Sequence, residues 1–305
     1  MEYRKAASRM GWGMVAFFLV SQIAQTLLLM LFDIIAPQVS ESMAGMLLIG
    51  DIGIYCIGLP CLLAICKKIP NTETSTPPPQ QKMTAGLLVK TLCMAFAAMY
   101  LTNFLYMLVM GVFSSASGHS VDENALLDVI VQNNLIERIV LFCIVPPILE
   151  ELVFRKYLYT KIGSYGDNAF ILVSGLCFGM FHGNLNQFFY AFALGSLLAW
   201  LYVTTGNVVW GMIIHTIINL MGSIVAPMTM ENETLGLFIT FFVLGVTIAG
   251  AIIFFRSKRG GMFAPPITQE QQPRLFVNTV FNWGMALFTV LFLVVSIIIL
   301  AQSFL

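Results

Sequence analysis

Apolar stretches long enough to cross a bilayer follow one another along this sequence, and few folds accept such a pattern. A helix needs about 20 mostly apolar residues to span roughly 30 Å of hydrocarbon. Nine stretches qualify: 11–32, 44–66, 84–113, 135–160, 168–183, 187–204, 207–226, 235–255 and 276–304. The fifth and sixth are short, so a count of eight stays open. Of the 305 residues 58% are hydrophobic and 10% charged, against about 25% charged in soluble domains. Such a chain cannot cover a globular surface with polar groups. Its formal net charge of zero also argues against a basic nucleic-acid binder. The expected fold class is all-α, a polytopic transmembrane helix bundle.

Basic residues orient the spans. Arg4, Lys5 and Arg9 precede the first; Lys67, Lys68 and Lys82 lie between the second and third. Arg155, Lys156 and Lys161 end the fourth, and Arg256, Lys258 and Arg259 follow the eighth. The alternate loops carry Asp33 and Glu41, then Asp122, Glu123 and Asp128, then Glu231 and Glu233. With nine spans every basic cluster falls on one side, which is then cytoplasmic. This puts the N-terminus inside, the C-terminus outside and the chain in a plasma membrane, of bacterial type by its small size. The run from Gly11 to Phe32 is too long for a signal-peptide core and lacks a small-x-small cleavage site, so it reads as a retained first span. Cys56, Cys61, Cys66, Cys93, Cys143 and Cys177 sit in mostly apolar settings without a CxxC pair and read as small hydrophobes.

Two polar linkers, 71–81 (NTETSTPPPQQ) and 264–273 (APPITQEQQP), interrupt this texture. The first should be extended and cytoplasmic. No internal repeat suggests an inverted-repeat transporter. The expected division is an N-terminal three-span region, 1–134, a four-span core, 135–226, and a C-terminal two-span region, 227–305.

Nearly all the unusual residues fall in the core. Ionisable groups at membrane depth are costly enough to suggest function by default. The first set is Pro146-Pro147-Ile148-Leu149-Glu150-Glu151-Leu152-Val153-Phe154-Arg155. The prolines should break or kink the span, placing both glutamates in the first turns of a restarted helix. Glu151 and Arg155 share a face and can pair, while Glu150 points about 100° away. Taken alone, this set is equally a helix end with a solvated ion pair. The second set is Phe178-x-x-x-His182, beside a stripe of Gly175, Gly179 and Gly183 that permits close helix approach. The third is His215-x-x-x-Asn219, which alone could be an interhelical polar clamp. Depth at 1.5 Å per residue puts Glu150 and His215 each about 15 Å in, with His182 about 6 Å deeper. One cytoplasm-facing cavity lined by Glu150, His182, His215 and Asn219 is therefore expected. Together these supply a base for water, groups to bind a metal or hold the water, and oxyanion donors. His119, in an external loop, has no assigned role.

These three motifs, in this order, resemble the CPBP family of intramembrane proteases, which includes CAAX prenyl endopeptidases of the Rce1 type and bacterial bacteriocin-processing and self-immunity proteins. The resemblance implies an endopeptidase acting on a membrane-associated peptide or protein. It makes Glu150 the general base, with Glu151 and Arg155 bracing the helix. It gives His182 the water or a metal, and His215 and Asn219 the scissile carbonyl and its oxyanion. Glu150, His182 and His215 would be the ligands of a divalent metal, zinc by their chemistry, although no HExxH motif occurs. A metal-free glutamate mechanism is equally compatible with the family. Gly50-Asp51 lacks the first glycine of a GxGD motif, so Asp51 reads as a packing residue. Ser174-Gly175 lacks the surroundings of a rhomboid-like dyad. A proton-coupled transporter and a non-catalytic binding or immunity partner remain as alternatives from other classes.

Overall fold

A computed structural model of the protein describes residues 1–117, 134–259 and 274–302. His119, the acidic residues Asp122, Glu123 and Asp128, and the linker 264–273 lie outside the described residues. Nine principal helical runs occur among those described. They are α1 (Tyr3–Ile35), α2 (Met43–Cys66), α3 (Ala85–Ser117), α4 (135–162), α5 (Asp167–Phe181), α6 (Leu185–Thr205), α7 (Val208–Met230), α8 (Glu233–Arg259) and α9 (Trp283–Gln302). No strand occurs among the described residues. An all-helical solution follows from the environment. In hydrocarbon every backbone N–H and C=O must be satisfied within the protein, and a helix does so inside one segment.

Seven of the nine runs are long and apolar enough to cross a membrane, while α5 is a shorter apolar helix of 15 residues. The remaining run, α4, has sufficient length but carries Glu150, Glu151, Arg155 and Lys156 in its middle turns. The chain is thus a multi-pass helical membrane bundle. The two runs outside that set, α4 with its charged middle turns and α5 with its short length, are the helices that bear the first and second motifs.

The hairpin of α5 and α6 forms the centre, with α1 and α9 packed on one side and α3 and α8 on the other. Gly183, at φ +71°, turns the chain between the two helices, a backbone region that other L-residues rarely adopt. The Asn184 side chain then caps α6 by accepting from the Gln187 amide at 2.8 Å. The expected small-residue stripe does bring α5 against α6: a Cβ on Gly175 would lie 2.2 Å from the Ser196 hydroxyl. Large apolar side chains such as Ile34, Phe104 and Phe241 are exposed on the outside, as expected where lipid is the solvent. The linker 71–81 is not helical and lies across one end of the bundle. Its Thr72 amide donates to the Thr160 carbonyl, and its Gln80 and Gln81 amides donate to the Thr204 carbonyl. Lys161 Nζ donates to the Asn71 side chain, and Arg9 donates to the Lys68 carbonyl, so three of the basic clusters gather at that same end.

The prolines of α4, expected to break or kink the span, do not end the helix. The chain passes them in a π-helical stretch, Ile139–Ile144, and continues into Val145–Glu151. The same device precedes Pro60, with π-helix at Ile52–Gly58, and Pro227, with π-helix at Met221–Val225. In all three the residue just before the proline donates five residues back: Leu59 to Ile54, Val145 to Val140 and Ala226 to Met221. The wider turn relieves the clash of the proline ring with the carbonyl four residues earlier, but proline has no N–H to offer that carbonyl.

Partners on neighbouring helices fill two of these vacancies. Phe142, four residues before Pro146, accepts from Asn219 Nδ2 of α7 at 2.8 Å. Ser223, four residues before Pro227, accepts from Arg138 Nε of α4 at 3.0 Å and also from its Nη2. Each helix thus completes the backbone of the other. Replacing Arg138 by alanine should cost about 1–3 kcal/mol by leaving a buried carbonyl unpaired. A lowered unfolding midpoint in detergent, with partial recovery in Arg138→Lys, is the expected measurement.

Candidate active site

The site is built where α4, α5, α6 and α7 meet. On α4 the i, i+4 spacing of Glu151 and Arg155 produces the expected pair, at 3.1 Å between Arg155 Nε and Glu151 Oε2. Both side chains are 0% exposed, so the pair is not a solvated helix end. A buried guanidinium needs more than one partner. Arg155 Nη2 donates to the Gly195 carbonyl of α6 at 3.3 Å, and its guanidinium carbon lies 4.6 Å from the centre of the Phe178 ring on α5. The cation thereby ties three helices together.

Glu151 has a second partner. His215 Nδ1 on α7 donates to Glu151 Oε1 at 3.2 Å. The opposite ring nitrogen, Nε2, faces Glu150 Oε2 at 3.5 Å. With Nδ1 donating to Glu151, Nε2 is the ring nitrogen turned toward Glu150. One helix turn therefore offers two carboxylates to one imidazole, one to fix its orientation and one to share its outer nitrogen. Room for this comes from Gly211, where a Cβ would stand 2.7 Å from Glu151 Oε2.

His182 ends α5. Its Nδ1 donates to the Phe178 carbonyl one turn back at 2.8 Å, which leaves Nε2 as the atom with the lone pair. The Phe178 ring meets both imidazoles edge-on, with centroids 4.9 Å from His182 and 5.6 Å from His215. Asn219 faces α4 as His215 does, but its amide is engaged with the Phe142 carbonyl; one N–H remains. Glu150, Glu151, Arg155 and His215 are thus brought into direct contact, His182 joins through Phe178, and Asn219 through the backbone of α4. The cluster is nearly closed: the side chains of Glu150 and His215 are 17% and 5% exposed.

Sequence reading missed three groups. Asp51 and Tyr55 of α2, and Tyr190 of α6, stand within electrostatic reach of Glu150. Asp51 was expected only to pack. The signal was present as Asp51-x-x-x-Tyr55, the spacing of the other three motifs, inside another apolar run. Phe178 was noted as a neighbour of His182, but its contacts with Arg155 and His215 depend on tertiary structure alone.

Glu150, His182 and His215 are the residues that would hold the expected metal. Nε2 of each imidazole and the Glu150 carboxylate are suitable ligand atoms, and Glu151 behind His215 would be a fitting outer partner. Nevertheless, no three His, Cys, Asp or Glu side chains among the described residues are grouped to hold an ion. As they stand, Glu150, His182 and His215 do not form a ligand set that fits one.

The buried ion pair can be tested on its own. Arg155→Ala should destabilise the protein by about 3–5 kcal/mol, since it strands a buried carboxylate. Arg155→Lys should recover the charge but not the bond to Gly195 or the stacking on Phe178. Unfolding midpoints of the two variants in detergent measure this difference.

Residues 132–221 match the family model described as "Type II CAAX prenyl endopeptidase Rce1-like". The chain is also 33% identical over 101 residues to the Bacillus subtilis (strain 168) protein named "Putative membrane peptidase YdiL", a stretch covering 33% of this chain and 41% of that protein. This chain therefore spans less than half the length of that relative. No solved structure matches it. The matched segment includes every one of the six candidate residues, from Glu150 to Asn219. The segment that holds the site is thus similar to Rce1-like domains, as the three sequence motifs led one to expect.

Proposed function

We propose that the protein is a membrane-embedded endopeptidase that hydrolyses a peptide bond in a membrane-associated peptide or protein, with Glu150 as the general base. The observation that carries this reading is the contact of Glu150 with His215 while Glu151 holds the far side of the same ring. A carboxylate facing an oriented imidazole is suited to moving protons during hydrolysis, and in this reading the Nε2 of His215 carries a proton toward the reacting groups. The Rce1-like match over this segment agrees with a protease.

In this reading Glu150 takes a proton from water as its oxygen bonds to the scissile carbonyl carbon. The carbonyl π-electrons move to oxygen, giving a tetrahedral oxyanion. His215, through Nε2, and the remaining N–H of Asn219 are the donors assigned to that oxyanion. The proton collected by Glu150 then passes to the leaving nitrogen as the C–N bond breaks, giving a carboxylic acid and an amine. His182 holds the water through Nε2, and Glu151 with Arg155 fixes His215 without touching substrate. The transporter and non-catalytic alternatives would require the same buried cluster but no bond cleavage.

The test is mass spectrometry of a peptide library, including prenylated and unprenylated members, incubated with the protein in liposomes. Glu150→Gln should lower cleavage at least about 100-fold, the lower bound for loss of a general base, without lowering the unfolding midpoint. Equal cleavage by Glu150→Gln would refute the assignment. A chelator arm addresses the metal: activity that survives in a metal-free preparation supports the glutamate mechanism. Activity lost to chelator and restored by zinc would instead make Glu150, His182 and His215 ligands in a rearranged site.

A further inference from the structure

A second site lies on the far side of α6 from the carboxylates. A cavity of about 560 Å³ opens between α3, α5, α6 and α8, within the size range of small-molecule sites. None of the six candidate active-site residues lines it. Its wall along α6 runs from Phe192 to Thr204, roughly 18 Å at 1.5 Å per residue. Ala97, Ala98, Ala193 and Ala251 leave it open as a slot. The hydroxyls on its walls are turned away: Thr102 donates to the Ala98 carbonyl and Ser196 to the Phe192 carbonyl, each on its own helix.

The polar end has a different character. Gln80, Asp167, Asn168 and Thr204 border the cavity there. Gln80 Nε2 donates to Asp167 Oδ2 at 3.0 Å, and the Gln80 and Gln81 amides hold the linker to the Thr204 carbonyl. Among the described residues no cation pairs with Asp167. Its other carboxylate oxygen and the Asn168 side chain make no hydrogen bond to described protein groups.

We propose that this cavity binds one acyl chain of a bilayer phospholipid whose headgroup bears a primary amine, with the ammonium on Asp167 and Asn168. An extended peptide suits the slot poorly, because its mostly apolar walls offer too few partners for a row of buried amides. An acyl chain has no such groups. At the mouth, a carboxylate with no cation partner among the described residues, beside a carboxamide, favours a cation with N–H donors. An ethanolamine head supplies both, a choline head has the charge without N–H, and a glycerol head has hydroxyl donors but no cation.

The experiment uses the full chain purified in detergent and stripped of lipid. Phosphatidylethanolamine, phosphatidylcholine and phosphatidylglycerol with identical acyl chains are titrated and bound lipid is counted by native mass spectrometry. Ethanolamine lipid should bind about tenfold more tightly than the other two, a difference of about 1.4 kcal/mol. Asp167→Asn should remove that preference while keeping chain binding, and Ala193→Phe should weaken all three lipids by filling the slot. In parallel, wild-type protein is labelled with an ethanolamine lipid carrying a photoreactive group on its chain, which does not depend on any variant folding. Label on Met94–Leu101 and Phe192–Trp200 is expected. Label confined to outward residues such as Phe104 and Phe241, absence of headgroup preference, or protection of the slot by an apolar peptide but not by lipid would each overturn the proposal.

Discussion

Four prolines sit inside helices that must cross or enter a bilayer, and the backbone carbonyls they leave without donors constrain everything around them. Water cannot serve these groups in hydrocarbon, so another helix must. Asn219 answers for Phe142, and Arg138 answers for Ser223. A third carbonyl in the next π-helical stretch of α4, that of Phe154, accepts from Ser174 of α5 at 2.7 Å. Helix association in lipid lacks a strong hydrophobic drive, and these bonds supply directional contacts in its place. They fix how α4, α5 and α7 face one another, and therefore where Glu150, Phe178 and His215 can meet.

Within that frame a charge that would be intolerable alone becomes part of a connected set. Arg155 touches Glu151, Gly195 and Phe178, and Glu151 reaches on to His215. Glu150 is the member with a free side. The two adjacent glutamates thus have unequal surroundings despite being neighbours in sequence, and it is surroundings that separate a structural carboxylate from a reactive one. Asn219 combines both tasks, since the amide assigned to the oxyanion also supports the backbone of α4. Its removal would act on geometry as well as on chemistry.

The helical class, the long apolar runs and the pairing of Glu151 with Arg155 were legible because each follows from local spacing. So was the closeness of α5 and α6, from glycines four apart. The passage of α4 through its prolines was not legible. Proline propensity predicts interruption, and only partners remote in sequence, Asn219 for one, allow the helix to continue. The closed state of the cluster was equally hidden, since burial of Glu150 depends on how four helices converge. Asp51 and Tyr55 lay in plain view at a familiar spacing but in a span that no motif covered. The metal ligands inferred from residue types met a geometry in which Glu150 and His215 face each other and His182 turns its Nδ1 to its own helix.

The π-helical stretch at Ile139–Ile144 also changes how the chain counts. One wide turn places an extra residue in a helix without lengthening its hydrogen-bonded path to match. Removal of a single residue there would let the run close up as regular α-helix, with hardly any change in the hydrocarbon it spans. Everything beyond the deletion would keep its facing, whereas the same loss from a regular turn of the helix would rotate it by about 100°. After a loss of that second kind Glu150 and Arg138 could no longer both face α7. The distance between two charged residues along this helix is set by a phase as well as a length, so a chain of this architecture can lose its chemistry through a change that no hydropathy profile would register.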